Sequence, residues 1–312
     1  MFAYEYQMPV SSISVVVTAP HGIADCDYLD DLLAKADGRA LEIVVADASP
    51  NYVDQSRVGL VHVRATGCGI QGLISEGIRR SSCDWVVVTE DHCRTLRGFI
   101  ENYREAVEQN PEIDLFSGAV DNLTSASPWA SAIFIFGLHQ FWPQIAQPPR
   151  AASNANLMVC RRAILASELA VEGGLLNISV PRLIKSGRYK HCPAAIVDHV
   201  LDLSSWQAVK FEFNCAAGAR TVYRELSQNG PIKPAGACRD YIRNAVIVPV
   251  RIIRRLRGTS QSGLGTALRL MLLGFTAAVA TLTVDLRRLV RNAPATVEAQ
   301  DAAMRVNRAE EP

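Results

Sequence analysis

No Cys-x-x-Cys pair and no regular cysteine spacing occurs among the eight cysteines of this 312-residue chain (26, 68, 83, 93, 160, 192, 215 and 238). That dispersion argues against a zinc site and against a disulfide framework, and a reducing compartment is the simpler setting. Neither charge sign is in excess, with 32 Lys+Arg against 31 Asp+Glu, so nothing global points to a nucleic-acid partner. Residues 1–9 lack a basic segment followed by an apolar one, so no signal peptide is expected and the chain reads as cytoplasmic. No internal repeat is present. The uncharged run from Leu270 to Val284 is fifteen residues long, short of the ~20 that a spanning helix needs.

What is there is an alternation of short apolar runs and helical stretches. Ile13–Thr18, Leu41–Ala46, Val58–Arg64, Trp85–Thr89 and Asp114–Val120 read as strands. Tyr28–Ala36, Leu73–Arg80 and Leu96–Glu108 read as helices between them. Strands alternating with helices at this spacing predict a mostly parallel, Rossmann-like α/β sheet. The strands ending near residues 18, 46 and 88 each hand over to a polar or turn-forming group, so their tips are expected to line one crevice. Ser153–Leu165 reads as a buried strand and a short helix, Val180–Ser186 as a helix, and Tyr189–Val197 as a strand ending at Asp198-His199. Before them, Ser125–Arg150 is rich in aromatics, which suits either core packing or an acceptor pocket.

The run Asp84-Trp-Val-Val-Val-Thr-Glu-Asp-His92 is the most informative. A buried strand delivers Glu90, Asp91 and His92 onto one turn, where carboxylate oxygen and imidazole nitrogen suit Mn²⁺ or Mg²⁺ and the imidazole favours Mn²⁺. The plain alternative is a polar loop after a core strand. Asp47 is either a turn residue or an acceptor for a nucleoside, and His199 is either structural or a third metal ligand. Gly67-Cys-Gly-Ile-Gln-Gly72 matches the G-x-G-x-x-G pattern of dinucleotide sites. It follows the third strand rather than opening the domain, and a close-passing glycine turn explains it equally.

Over about residues 10 to 200 these features resemble the inverting family 2 glycosyltransferases. The shared order is strand–Thr18-Ala19-Pro20, strand–Asp47-Ala48-Ser49, a glycine turn with Gly77-Ile78, an apolar strand ending in a metal motif, and a segment ending Arg161-Arg162. Arg182-Leu183, Gly187, Pro193 and His199 resemble the family's closing R-L…G…P…H pattern. The resemblance implies a GT-A type nucleotide-diphospho-sugar-binding domain over 10–205. Thr18, Ala19, Pro20, Asp47 and Asp91 would hold the donor, and Glu90, Asp91, His92 and His199 the metal. The Glu90-Asp91-His92 turn then stands where the family has D-x-D, and the reaction is an in-line displacement at the anomeric carbon. One departure is plain: the family's Glu-Asp pair, which supplies the general base, is Leu175-Leu176 here. Glu172 is the nearest acid and the candidate base.

After residue 205 the strand signals stop. Gln207–Ser227 and Asp240–Arg257 read as helices, and from Arg243 to Arg257 there are five arginines and no acid. Aliphatic and cationic groups so mixed suit an anionic membrane surface. Residues 206–291 are therefore expected to form a helical, membrane-associating extension at the inner face of the cell membrane, with 292–312 a disordered tail. The function expected is sugar transfer to a lipid-linked or polysaccharide acceptor. The alternatives are a catalytically impaired nucleotide-sugar- or partner-binding domain and an NAD(P)-dependent oxidoreductase.

Overall fold

The computed structural model describes residues 12–26, 28–36, 41–65, 69–123, 127–145, 149, 151–166, 175–201, 203–226, 241–257, 259 and 261–291. Packing divides the chain into two compact units, one of residues 1–127 with 137–202 and one of 128–136 with 203–312.

The first unit is built on an eight-stranded sheet. Its strands are β1 (Ile13–Ala19), β2 (Leu41–Asp47), β3 (Leu60–Arg64), β4 (Trp85–Glu90), β5 (Cys93–Thr95), β6 (Leu115–Asn122), β7 (Asn156–Cys160) and β8 (Tyr189–His199), in the order β3-β2-β1-β4-β7-β6-β8-β5. Six strands run one way, whereas β7 and β5 run against their neighbours. The sheet is thus mixed rather than simply parallel. Strands buried on both faces read as unbroken apolar runs whatever their direction, so the reversal at β7 leaves no trace in sequence. The three-residue β5 carries Arg94 at its centre and gives no strand pattern at all.

Helices α1 (Leu29–Ala36), α2 (Ile70–Arg80) and α3 (Phe99–Gln109) connect the strands. Helix α2 lies against β1 so closely that a Cβ at Gly77 would sit 2.3 Å from Val16 Cγ1. Its Leu73, Ile74 and Ile78 are buried, the last two in a core shared with Val16, Val44, Val86, Val88, Leu157 and Val159. Helix α4 (Pro128–Leu138), whose residues 128–136 belong to the second unit, takes up the start of the aromatic segment. Phe134, Phe141 and Trp142 are buried, so packing accounts for them. After β7 come α5 (Arg161–Leu165) and α6 (Leu175–Lys185). Helix α6 begins five residues before the expected Val180 and carries Pro181 inside it. Leu176 and Leu183 sit in the core on either side, and that burial outweighs the helix-breaking tendency of proline.

The sheet has to curl. In strand order β5 lies four places from β4, about 19 Å in a flat sheet. Yet only Asp91 and His92 separate the two strands, and three Cα steps reach about 11 Å at most. The top of β8 must therefore swing back towards the top of β4. The opening that permits this lies between β6 and β7, which pair only over Leu115–Ser117. Beyond it the β6–β8 register shifts between Gly118 and Ala119, and Pro193, Ala194 and Ala195 bulge out of β8. The amide of Asn156 fills the gap: its Nδ2 donates to Ala119 O (2.7 Å) and Ala195 O (2.9 Å), and its Oδ1 accepts from Tyr103 OH (2.6 Å). Proline is tolerated at such a bulge because no ladder bond is asked of it.

The second unit is helical, with α7 (Ser205–Leu226), a π-helical turn (Arg243–Ile247) running into α8 (Val248–Arg255), and α9 (Leu264–Arg291). Helices α8 and α9 meet at Gly274, where a Cβ would lie 2.4 Å from Pro249 Cγ and 2.6 Å from Asn244 O. Buried Arg220 grips Asp285 with two bonds (Nη2–Oδ2 2.7 Å, Nε–Oδ1 3.1 Å), and Tyr241 OH donates to the same carboxylate at 3.0 Å. A carboxylate can accept such a fork and a hydroxyl at once. Helix α9 is longer than its uncharged run suggested: its 24-residue stretch Leu264–Arg287, with mean hydropathy 1.8 over an 18-residue window, is by length and composition long and apolar enough to cross a membrane. Leu264, Leu268, Leu272, Phe275, Val279, Leu282 and Leu286 are all exposed, a spacing of three and four that puts them on one stripe of the helix. The expected tail, 292–312, lies outside the described residues.

Candidate functional site

Strand order reverses between β1 and β4, since β1 leads outward to β2 and β3 while β4 starts the other half of the sheet. Ligands of open α/β sheets collect at such a switch point, outside the carboxyl ends of the strands. Thr18 pairs with Glu90 and Ala19 with Asp47 across the tips, so the three expected strand ends do share one edge.

Three side chains converge there. His92 Nε2 lies 3.0 Å from His199 Nε2 and 3.3 Å from Glu90 Oε2, and His199 Nε2 lies 3.7 Å from the same oxygen. Glu90 ends β4, His92 is on the β4–β5 turn and His199 ends β8, so the curl of the sheet is what assembles them. Val200 N donates to His92 O at 3.1 Å, which pins the turn to the end of β8. Two ligands about 2.1 Å from a common ion lie about 3.0–3.4 Å apart, so these donors have the spacing of one face of a metal site. The His199 side chain is 7% exposed, but those of Glu90 (20%) and His92 (30%) open to solvent, which leaves the outer face reachable.

Asp91 does not join the converging atoms. Buried, with its amide donating to Thr18 O, it sets Oδ1 2.8 Å from His92 Nδ1. A carboxylate behind a ligating imidazole fixes the ring's orientation and raises its basicity. Instead the fourth potential ligand of the cluster is Cys93, whose Sγ lies with the other three donor atoms inside a 4.8 Å span. The dispersed cysteine pattern gave no sign of it, because its partners are a carboxylate and two imidazoles rather than cysteines, and one of them, His199, is distant in sequence.

The electrostatics follow from the geometry. Burial pushes the Glu90 carboxyl up, but hydrogen bonds to His199 and His92 outweigh it and hold it well below the usual carboxylate range. Burial opposes the charge on His92, while Asp91 and Glu90 raise it to about 10. Burial lowers His199, and cationic His92 adds to that, against the pull of Glu90. With the two Nε2 atoms only 3.0 Å apart there is room for one proton between them, so one ring presents a lone pair.

The residues expected on the nucleotide side are mostly buried. Thr18 Oγ1 donates to Thr89 O at 3.3 Å, Ala19 is fully covered, and Pro20 alone is exposed. Asp47 is 2% exposed and accepts from Ile23 N (3.0 Å), Ser49 N (2.6 Å) and the His62 ring (Nε2 2.9 Å). It ties the loop after β1 to the tip of β2, and His62 is a partner that sequence reasoning did not foresee. At the tip of β6, Asn122 lies in register with His199, and Asp121 accepts from Trp142 Nε1 at 2.8 Å. Of the G-x-G-x-x-G segment, residues 67 and 68 lie outside the described residues, while Gly69 caps α2 and Gly72 is inside it. That turn follows β3, the edge strand of the sheet, and not a strand at the switch point where a dinucleotide's pyrophosphate is held. Glu172 also lies outside the described residues, and Leu176, on the family's acid-pair position, is a core side chain.

No family model matches the chain. Nor does any curated protein. Among solved structures it aligns with a mannosyltransferase from Pyrobaculum calidifontis in complex with GDP-Man and Mn²⁺, at 13% identity and a TM-score of 0.46 over 86% of each chain. It also aligns with a mycobacterial protein, at 14% identity and a TM-score of 0.43 over 66% of this chain and 73% of that one.

Proposed function

We propose that this chain is a glycosyltransferase that takes a nucleotide-diphospho-sugar donor with a divalent cation, of the inverting family 2 type. The observation that carries this reading is the convergence of Glu90, His92 and His199 at the switch point between β1 and β4. Two imidazoles and one carboxylate on one face of an ion suit Mn²⁺ better than Mg²⁺, which prefers an all-oxygen shell. The cation would supply charge neutralisation for a departing diphosphate. The chain's own residues hold and orient: Glu90, His92 and His199 bind, and Asp91 steers His92. Thr18, Ala19, Pro20 and Asp47 wall the donor side, Asp47 acting through the loop amides it anchors. Glu172 is the candidate base that would take the acceptor hydroxyl's proton.

Residues 10–205 form the catalytic domain in this reading, and 206–291 meet a membrane surface that presents a lipid-linked or glycan acceptor. The exposed apolar stripe of α9 and the arginines of α8 support that assignment. The core position of Leu176 favours a second reading, a domain that binds nucleotide-sugar without transferring it.

Incubation with a panel of nucleotide-sugars should show hydrolysis or transfer that EDTA abolishes and Mn²⁺ restores. Undiminished turnover in EDTA overturns the metal role. Mn²⁺-dependent donor binding without turnover selects the binding-only reading. Full transfer activity in Glu172→Gln removes that residue from the mechanism.

A further inference from the structure

Cys93 and His199 are directly paired across the antiparallel β5–β8 ladder. Residues so opposed project from the same face of a sheet, with their Cβ atoms about 5 Å apart. Cys93 is 4% exposed, and its Sγ lies within 4.8 Å of the Glu90, His92 and His199 donor atoms. Cys93 also lines a small recess together with Cys26, Glu90, Asp91 and Thr95.

We propose that Cys93 is a fourth donor of this centre, which therefore takes two kinds of cation in two ways. Glu90, His92 and His199 hold Mn²⁺ on one face and leave its remaining positions to other ligands. The same three with the Cys93 thiolate form a closed set of one sulfur, two nitrogens and one oxygen, which suits tetrahedral Zn²⁺. On forming that set the thiol gives up its proton to solvent. A four-coordinate ion then has no position left for a diphosphate, so Zn²⁺ excludes the cation that the donor needs. This rests on the reading of Glu90, His92 and His199 as a cation site, and it adds selectivity by softness to that reading.

The test uses the full chain and Co²⁺, a spectroscopic stand-in for Zn²⁺, with a reductant that contains no thiol. The expected result is tetrahedral Co²⁺ absorption in the visible with a thiolate-to-cobalt charge-transfer band in the near ultraviolet, both erased by Zn²⁺. Cys93→Ser should lose the charge-transfer band and bind Zn²⁺ at least about tenfold more weakly. It should keep its Mn²⁺ affinity, read by Mn²⁺ paramagnetic resonance. Cys26→Ser, in the same recess, should keep the band. Visible Co²⁺ absorption without the charge-transfer band in the unaltered chain overturns the role of Cys93 and leaves the three-donor site standing. Failure of Co²⁺, Zn²⁺ and Mn²⁺ alike to bind overturns both.

Discussion

At the scale of single residues, the proposed centre separates groups that would bind a cation from groups that would position them. Replacing His199 or His92 by Ala deletes a donor and should abolish Mn²⁺ binding. Asp91→Asn leaves every donor in place but removes the carboxylate behind His92, and about a 10- to 100-fold loss of Mn²⁺ affinity is expected. Calorimetric titration of the two kinds of variant checks the distinction. Asp47→Asn should act elsewhere, weakening nucleotide binding while Mn²⁺ binding in the absence of nucleotide is unchanged. In the helical unit, burial raises the carboxyl of Glu212 on α7 to about 8. Its proton is held in the folded state and released on unfolding, so stability falls as pH rises from the ordinary glutamate range towards 8 and levels off above. Glu212→Gln should remove that slope and raise stability at pH 7 by up to about 3 kcal/mol, visible as a Tm that no longer drops between pH 5 and 8.

At the scale of elements, the strand tips were readable because β-branched runs ended in Thr18, Asp47 and Glu90 with no helical alternative. Their shared edge follows from the βα alternation. What could not be read was direction and pairing. Nothing in Asn156-Leu-Met-Val-Cys160 says that it runs against β4 and β6, and three residues around Arg94 do not announce a strand. The partnership of Cys93 with His199, 106 positions later, depends on that unseen strand. Asn156 marks the same limit: it reads as one polar residue opening an apolar run, yet it closes the gap where β6 parts from β7. Its loss in Asn156→Ala strands two buried carbonyls and the Tyr103 hydroxyl. About 3 kcal/mol of destabilisation is expected from denaturant unfolding. Because β8 loses its anchor there, weaker Mn²⁺ binding should accompany it.

At the scale of the whole molecule, the second unit carries an apolar stripe along α9 and arginines Arg251, Arg254 and Arg255 on α8. An apolar face with cations nearby is expected to seat in the interface of an anionic bilayer. Flotation with phosphatidylserine-containing vesicles should carry the full chain upward. Leu268→Ser with Phe275→Ser should leave it at the bottom of the gradient without altering Mn²⁺ binding, and unchanged flotation of that variant argues against the stripe. Sequence showed the arginine run and the uncharged stretch. It did not show which side of α9 is covered, since that is decided by Arg220, Asp285 and Gly274, each unremarkable in its own neighbourhood.

The curl of the sheet has one further consequence. Because Glu90 and His92 hang on the fourth strand position and its turn while His199 ends the seventh, an ion held by all three acts as a rivet across a bent plate. It would fasten the end of β8 to the end of β4, reinforcing the link through Asp91 and His92 and the Val200 N–His92 O bond that already hold them together. Binding of that kind adds its full linkage energy to the folded state, about 2.7 kcal/mol at a hundredfold excess over Kd. Saturating Mn²⁺ without any donor should therefore slow amide exchange in β5 and the end of β8 more than in β2 or β3. The centre would then set the stiffness of the fold as well as its chemistry.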